Sequence, residues 1–173
     1  NKDHQIMENG DSTVGISWYQ EMVIIPYPGN SMKFYLFTND GTITYNTYYS
    51  IIDLSFNNGL GRVIQKNVSL IVNVRMADCI TAIKHANGRD WWLYMRSGDG
   101  IITNNPFYTY LVTPSGIFLD TLQNIGPVTG GSFVEFRWNK LGTKLAYVNY
   151  SGLIQVFDYD RCTGLLSNPI TID

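Results

Sequence analysis

The sequence predicts an all-β protein assembled from repeated four-stranded antiparallel units. Three observations predict it: the composition, a turn signal recurring about every fifty residues, and the β-rich runs between those turns. Of 173 residues, 14% are aromatic and only 15% charged, with 12 Tyr and 4 Trp. Such side chains suit a pleated, half-buried surface, whereas helix-rich proteins carry more Glu, Lys and Ala. No stretch keeps a 3.6-residue apolar period between caps, which excludes a helical solenoid. A sandwich has short strands and turns but has no need to repeat a four-strand unit in register.

The elements follow in order from the turns. In the first unit, two β-rich runs flank Pro28 and Gly29; in the second they flank Asn87 and Gly88, and in the third Gly142. These turn glycines stand 59 and 54 residues apart. A third run follows in each unit, at residues 48–55, 107–113 and 153–159, and ends in a second turn signal. Those signals are Asn57-Asn58-Gly59, Pro114-Ser115-Gly116 and Cys162-Thr163-Gly164. A fourth run closes each unit, at 62–70, 117–124 and 165–172. Gly and Asn supply the positive φ angles that hairpin turns require. Four hairpin-linked strands repeated at this period are the sequence form of β-propeller blades.

One propeller domain is therefore expected, with blades at 18–70, 71–126 and 127–173. Residues 1–17 are expected to be the outer-strand remnant of a preceding blade and its connection. Closed propellers need about four to eight blades. Three blades and a remnant fall short of that, so further blades of the same precursor are expected, blades from another molecule being the alternative. The first residues, Asn1 to His4, carry neither an initiator Met nor a basic-then-apolar leader, which points to the same longer precursor.

Several function classes are excluded early. A formal charge of -2 leaves no electrostatic footprint for nucleic acid. No window of about 18 uninterrupted apolar residues exists, so no membrane-spanning helix is expected. No cofactor motif is present, and no Cys-x-x-Cys, His-x-x-x-His or EF-hand loop marks a metal site. Asp158 and Asp160 alternate onto one face of a strand end, where a solvent-facing edge before a turn is the expected role and calcium the alternative.

Catalytic chemistry finds little support. A nucleophilic triad needs a base in reach of its nucleophile and a third group to orient that base. Only two histidines exist, His4 and His85, and no Gly-x-Ser-x-Gly elbow appears. His85 with Asp90 across a turn is best read as a polar structural cluster, with Arg89 and Asp90 pairing across or between blades. Trp91 and Trp92 point to opposite faces of one strand and are expected to pack against two neighbouring blades, stacking on a sugar being the alternative. Cys79 opens an inner strand and Cys162 sits in an outer turn on the opposite face. A strand of six residues spans roughly 20 Å, so the two are not expected to bond. Asn67 and Asn149 head sequences that match the N-glycosylation pattern.

A ligand is expected on the loops rather than the turns. In a blade, the second-to-third loops and the inter-blade connections share one propeller face. Those loops are long in the first two units (39–47 and 97–106) and short in the third (149–152), and the connection 71–77 joins that face. Irregular loops on a rigid scaffold are where binding concentrates, which makes Asp40, Tyr45, Asp99 and Asn104 the candidates.

Three motifs carry a resemblance. They are His4-Gln-Ile-Met-Glu-Asn-Gly10, the run His85-Ala86-Asn87-Gly88-Arg89-Asp90-Trp91-Trp92, and Phe157-Asp-Tyr-Asp-Arg-Cys-Thr-Gly164. The chain resembles secreted Bacteroidetes β-propeller proteins of the type IX secretion sorting and gliding-motility-associated group, over essentially its full length. That resemblance implies export across the outer membrane, with attachment to the cell surface or release. It implies no enzyme activity. Asp120-Thr121-Leu122 also fits the short O-glycosylation pattern of that phylum. The expected function is a non-catalytic recognition or scaffold module that binds protein or glycan. The alternatives are a propeller glycoside hydrolase or other polysaccharide-acting enzyme, with carboxylates around the central channel, and an architectural spacer.

Overall fold

A computed structural model of the chain describes residues 1–15, 20–40, 45–98, 106–128 and 133–172. Among the described residues, twelve strands form three antiparallel four-stranded sheets. The first contains β1 (Met22–Tyr27), β2 (Asn30–Asn39), β3 (Thr47–Asp53) and β4 (Arg62–Ile71). The second contains β5 (Met76–Lys84), β6 (Trp91–Ser97), β7 (Phe107–Thr113) and β8 (Gly116–Gln123). The third contains β9 (Val134–Trp138), β10 (Lys144–Asn149), β11 (Ile154–Asp160) and β12 (Leu165–Ile172). Each sheet is a simple meander in which every strand pairs with its sequence neighbour. The tips of the first hairpins hold Gly29, Gly88 and Gly142 at φ of 77°, 74° and 66°, the left-handed region that favours glycine.

Successive sheets meet along their first strands, β1 against β5 and β5 against β9, a propeller-like arrangement. Two cores result, one on each side of the middle sheet. Alternation along β6 divides its side chains between them. Leu93 and Met95 join Ile25, Tyr35 and Phe37 of the first sheet. Trp92 and Tyr94 join Phe136, Leu145, Tyr147 and Phe157 of the third. The middle sheet is therefore buried on both faces, and β6 is continuously buried from Trp92 to Ser97. Strand β9, packed on one face only, alternates buried and exposed instead. The outward faces of the first and third sheets keep Met22, Ile24, Val148 and Ile154 exposed.

Polar handles on the core aromatics fasten the sheets together. Trp92 Nε1 donates to the Arg161 carbonyl (2.9 Å) and Trp138 Nε1 to Thr81 Oγ1 (3.0 Å). The Tyr94 hydroxyl donates to the Gly164 carbonyl. Rings of Tyr94, Trp138 and Tyr159 meet one another at 4.6–5.5 Å between centroids. Each such aromatic pair contributes about 0.5–1.5 kcal/mol beyond the area it buries.

The N-terminal segment differs from its expected role. Residues 1–15 do not form the outer strand of another blade; they strap the outer edge of the first sheet. Glu8 forms a single parallel bridge with Arg62, backed by a 3.2 Å ion pair between their side chains. Asn9 Nδ2 donates to the Val63 carbonyl, and Asn67 ties down Ser12 and Val14. Short polar side chains here bond backbone better than they pack, so the segment follows β4 without extending the sheet. From there the chain reaches the inner edge of the second sheet. Gln20 pairs in parallel with Cys79, and its Oε1 accepts from the Phe136 amide of β9 (2.8 Å). The connection between the first two sheets is residues 72–75, shorter than the 71–77 expected.

Candidate functional site

The face that carries the long loops is built on buried polar groups. Asp40, expected to meet a ligand, is only 3% exposed: its carboxylate accepts from the Asn46 amide and closes its own loop. Tyr45 is 43% exposed, in the left-handed region at φ 56°, and its carbonyl accepts from the Val74 amide. Asn46 Oδ1 accepts from the Asn73 amide, so this loop clamps the connection to the second sheet. Asp99 and Asn104 lie outside the described residues.

Beneath that face sit two buried carboxylates outside the candidate loops. Glu21, just before β1, is 4% exposed, and Asp78, in β5, is 2% exposed. Burial pushes the Asp78 carboxyl up to about 6; the nearby negative charge of Glu21 adds to the rise and Arg75 opposes it. Asp78 Oδ2 accepts no hydrogen bond among the described residues. Arg96 lies between the rings of Phe107 and Tyr147, 4.7 and 4.6 Å from their centroids, and donates to the Pro127 carbonyl. Each of the two carboxylates is a lone acid at the start of an apolar inner strand, Glu21 before Met22-Val23-Ile24 and Asp78 between Ala77 and Cys79, and in sequence it reads like any solvated strand end.

The motif at 85–92 is a self-contained turn. Asn87 Oδ1 accepts from the amides of Arg89 and Asp90, and Asn87 Nδ2 donates to the Asp90 carboxylate. Arg89 binds that same carboxylate through Nε (2.8 Å) and an NH2 group (3.0 Å), which holds Asp90 below the usual carboxylate range. The expected pairing of Arg89 and Asp90 across or between blades is replaced by this pair of sequence neighbours, because the turn already brings both side chains to one side. His85 Nδ1 accepts from the Asn87 amide, and its ring lies 5.3 Å from that of Trp92. Gly88 forms the turn tip. These side chains spend their polar capacity on the turn.

Other candidate ligands are similarly engaged. Asp158 binds Lys144 and Asn168, and Asp160 accepts from the Cys162 amide and the Thr163 hydroxyl. No cluster of three or more His, Cys, Asp or Glu side chains suited to a metal occurs among the described residues. Cys79 is buried and Cys162 exposed, both as free thiols. Asn149 is buried, and its side chain accepts from the amides of Ser151 and Leu153. Asn67 is spent on the N-terminal strap.

Concave surface occurs on both faces: a hollow of about 260 Å³ lined by Phe133, Glu135, Val148 and Tyr150 lies on the loop face, and two larger grooves lie on the opposite face, where the first hairpin turns gather. A groove of about 440 Å³ between the first two sheets is lined by Tyr27, Asn30, Lys84, Arg89 and Trp91. A second, of about 320 Å³ between the second and third sheets, is lined by Lys84, Trp91, Trp138, Lys140 and Arg161. Trp91 and Lys84 belong to both, with the Lys84 ammonium 5.1 Å from the centroid of the Trp91 ring. The two tryptophans of the motif pack to opposite sides, as expected: Trp92 is buried in the core shared with the third sheet, while Trp91 is half-buried against the core shared with the first and borders both grooves.

Neither a family model nor a curated protein matches the chain. Among solved structures it is similar to the periplasmic gluconolactonase PpgL of Pseudomonas aeruginosa, with 19% sequence identity and a TM-score of 0.49. The match covers 86% of this chain and 38% of that structure, so the chain spans well under half of it.

Proposed function

We propose that the three sheets are blades of a larger β-propeller and that the chain acts as a non-catalytic recognition module of an exported, cell-surface or secreted protein. One observation carries the recognition role: two inter-sheet grooves converge on Trp91, a half-buried aromatic residue beside polar and cationic side chains. Concave aromatic surfaces with a few convergent polar groups are the usual form of a small-ligand site. Glycan suits them better than a flat protein epitope, because an indole beside amide and ammonium donors matches both the apolar face and the hydroxyls of a sugar ring. The ring's missing blades are supported by the exposed apolar faces of the outer two sheets, Met22 and Ile24 on one and Val148 and Ile154 on the other. Export and surface attachment rest on the resemblance of the three motifs.

A glycan array probed with the chain tests the role. Binding that weakens in Tyr27→Ala and persists in Tyr45→Ala supports recognition through the turn face. Uniform lack of binding sends the module to protein partners or to a spacer role.

A second reading, a polysaccharide-acting enzyme, draws support from Glu21 and Asp78, two buried carboxylates of which one is pushed up to about 6. Release of reducing ends from a polysaccharide, abolished in Glu21→Gln and Asp78→Asn, would establish it; no release from a broad polysaccharide panel would dismiss it.

A further inference from the structure

We infer that the paired grooves around Trp91 select an acidic glycan, one whose sugar rings carry carboxylates such as uronates; this rests on the glycan-recognition reading of the same surface. The chain as a whole is slightly acidic, at -2. The groove walls are not. Four cationic side chains, Lys84, Arg89, Lys140 and Arg161, line the two grooves, and no Asp or Glu lines either.

These cations divide into two kinds. Arg89 is neutralised by its paired contact with Asp90, and Arg161 donates to the carbonyls of Lys84 and His85. Both therefore stiffen the walls. Lys84 and Lys140 are the groups left to meet a ligand: Lys84 lies over the Trp91 ring, and Lys140 is exposed at the tip of the third sheet's first hairpin. A ring stacked near Trp91 would place its exocyclic carboxylate toward one ammonium, and the next ring of a chain toward the other. Ion pairing with a carboxylate adds a term that a neutral sugar lacks, and in these open grooves salt screens it. Nucleic acid is the other polyanion such a surface could meet. Two available ammonium groups on an acidic protein fall well short of a backbone-tracking basic groove.

The test is a titration of the full chain with an oligogalacturonate and with its fully methyl-esterified counterpart, followed by tryptophan fluorescence and calorimetry at low and moderate salt. Tighter binding of the acid than of the ester by about tenfold or more, weakened by salt, is expected. The double variant Lys84→Gln/Lys140→Gln should erase that preference, so that acid and ester, measured on the variant, bind within about twofold of each other. Lys140→Glu, a change at one exposed side chain, should do part of the same if the double variant fails to fold. Equal affinity for acid and ester would overturn acid selectivity while leaving glycan recognition intact. Absence of binding to either would bring down both. Acid binding indifferent to the lysine substitutions, or a single-stranded oligonucleotide bound more tightly than the oligogalacturonate, would also overturn the inference.

Discussion

Replacing Asp78 by Asn is expected to stabilise the chain at neutral pH and to flatten its stability between about pH 4 and pH 6. The side chain is 2% exposed, Glu21 lies close by, and Oδ2 receives no hydrogen bond among the described residues. Ionising it inside the fold therefore costs more than ionising it in the unfolded chain, and its pKa rises from 3.8 to about 6. A raised carboxyl pKa means that the folded state holds the proton more tightly. The stability contributed by the neutral form is complete below the unfolded pKa of 3.8 and is lost as the pH climbs through about 6. At about 1.4 kcal/mol per pKa unit the full shift, in which the attraction to Arg75 is already included, corresponds to roughly 3 kcal/mol, and solvent relaxation reduces the effect to about 1–3 kcal/mol. For a chain of this size that is a rise in Tm of about 2–10 °C. Urea unfolding followed by tryptophan fluorescence across this pH range, on parent and variant, measures both quantities. A variant less stable than the parent at neutral pH would refute the reasoning, because it would mean that the carboxylate is held by favourable contacts. So would a parent whose stability does not fall on going from about pH 4.5 to pH 6.5.

Further expectations follow from the packing. Gly164→Ala should lose about 2–5 kcal/mol, since the position has φ +69° and a new Cβ would lie 2.9 Å from the Trp92 ring. Gly59→Ala, at φ +84° with nothing within 4 Å, should lose only the backbone share of about 1–2 kcal/mol, and the difference in urea midpoint between the two isolates the ring contact. Asp90→Ala should cost about 1–3 kcal/mol by the same assay, because it removes the acceptor shared by Arg89 and Asn87. Thiol titration of the native chain should find Cys162 alone reactive; Cys79, buried and with its thiol pushed up by that burial, should react only in denaturant.

Much of the scaffold was legible because it is local. Strands β7 and β12 fall on the runs expected, and the turns at Gly29, Gly88 and Gly142 fall where a positive φ was called for. Hairpin chemistry writes itself into adjacent residues, and the unbroken apolar run that opens β6 announces a strand covered on both sides. Two things were not legible. The strap at 1–15 looked like a strand remnant because its composition says nothing about which sheet edge it will follow. The grooves escaped because no stretch of sequence contains one. Tyr27 and Lys84 stand on different sheets, as do Trp91 and Arg161, and only the sheet-to-sheet contacts bring them together. Preference for long loops also drew attention to Asp40, whose buried brace is indistinguishable in sequence from an exposed loop acid.

Gln20 gives the assembly an order in time. Its backbone pairs beside Cys79, so that half of the attachment can form once β5 exists. Its side chain waits for Phe136, which lies 116 residues further along the chain. At about 5–20 residues per second, ribosomal synthesis leaves that amide group unmade for roughly 6–20 s. Each meander can fold as it emerges, since its pairings are between neighbours. The inner edge joining the second and third sheets cannot close until β9 arrives. During that interval Trp92 and Tyr94, which the third sheet will cover, stay open to solvent, and a folding factor that shields apolar surface would act on this face of the middle sheet first.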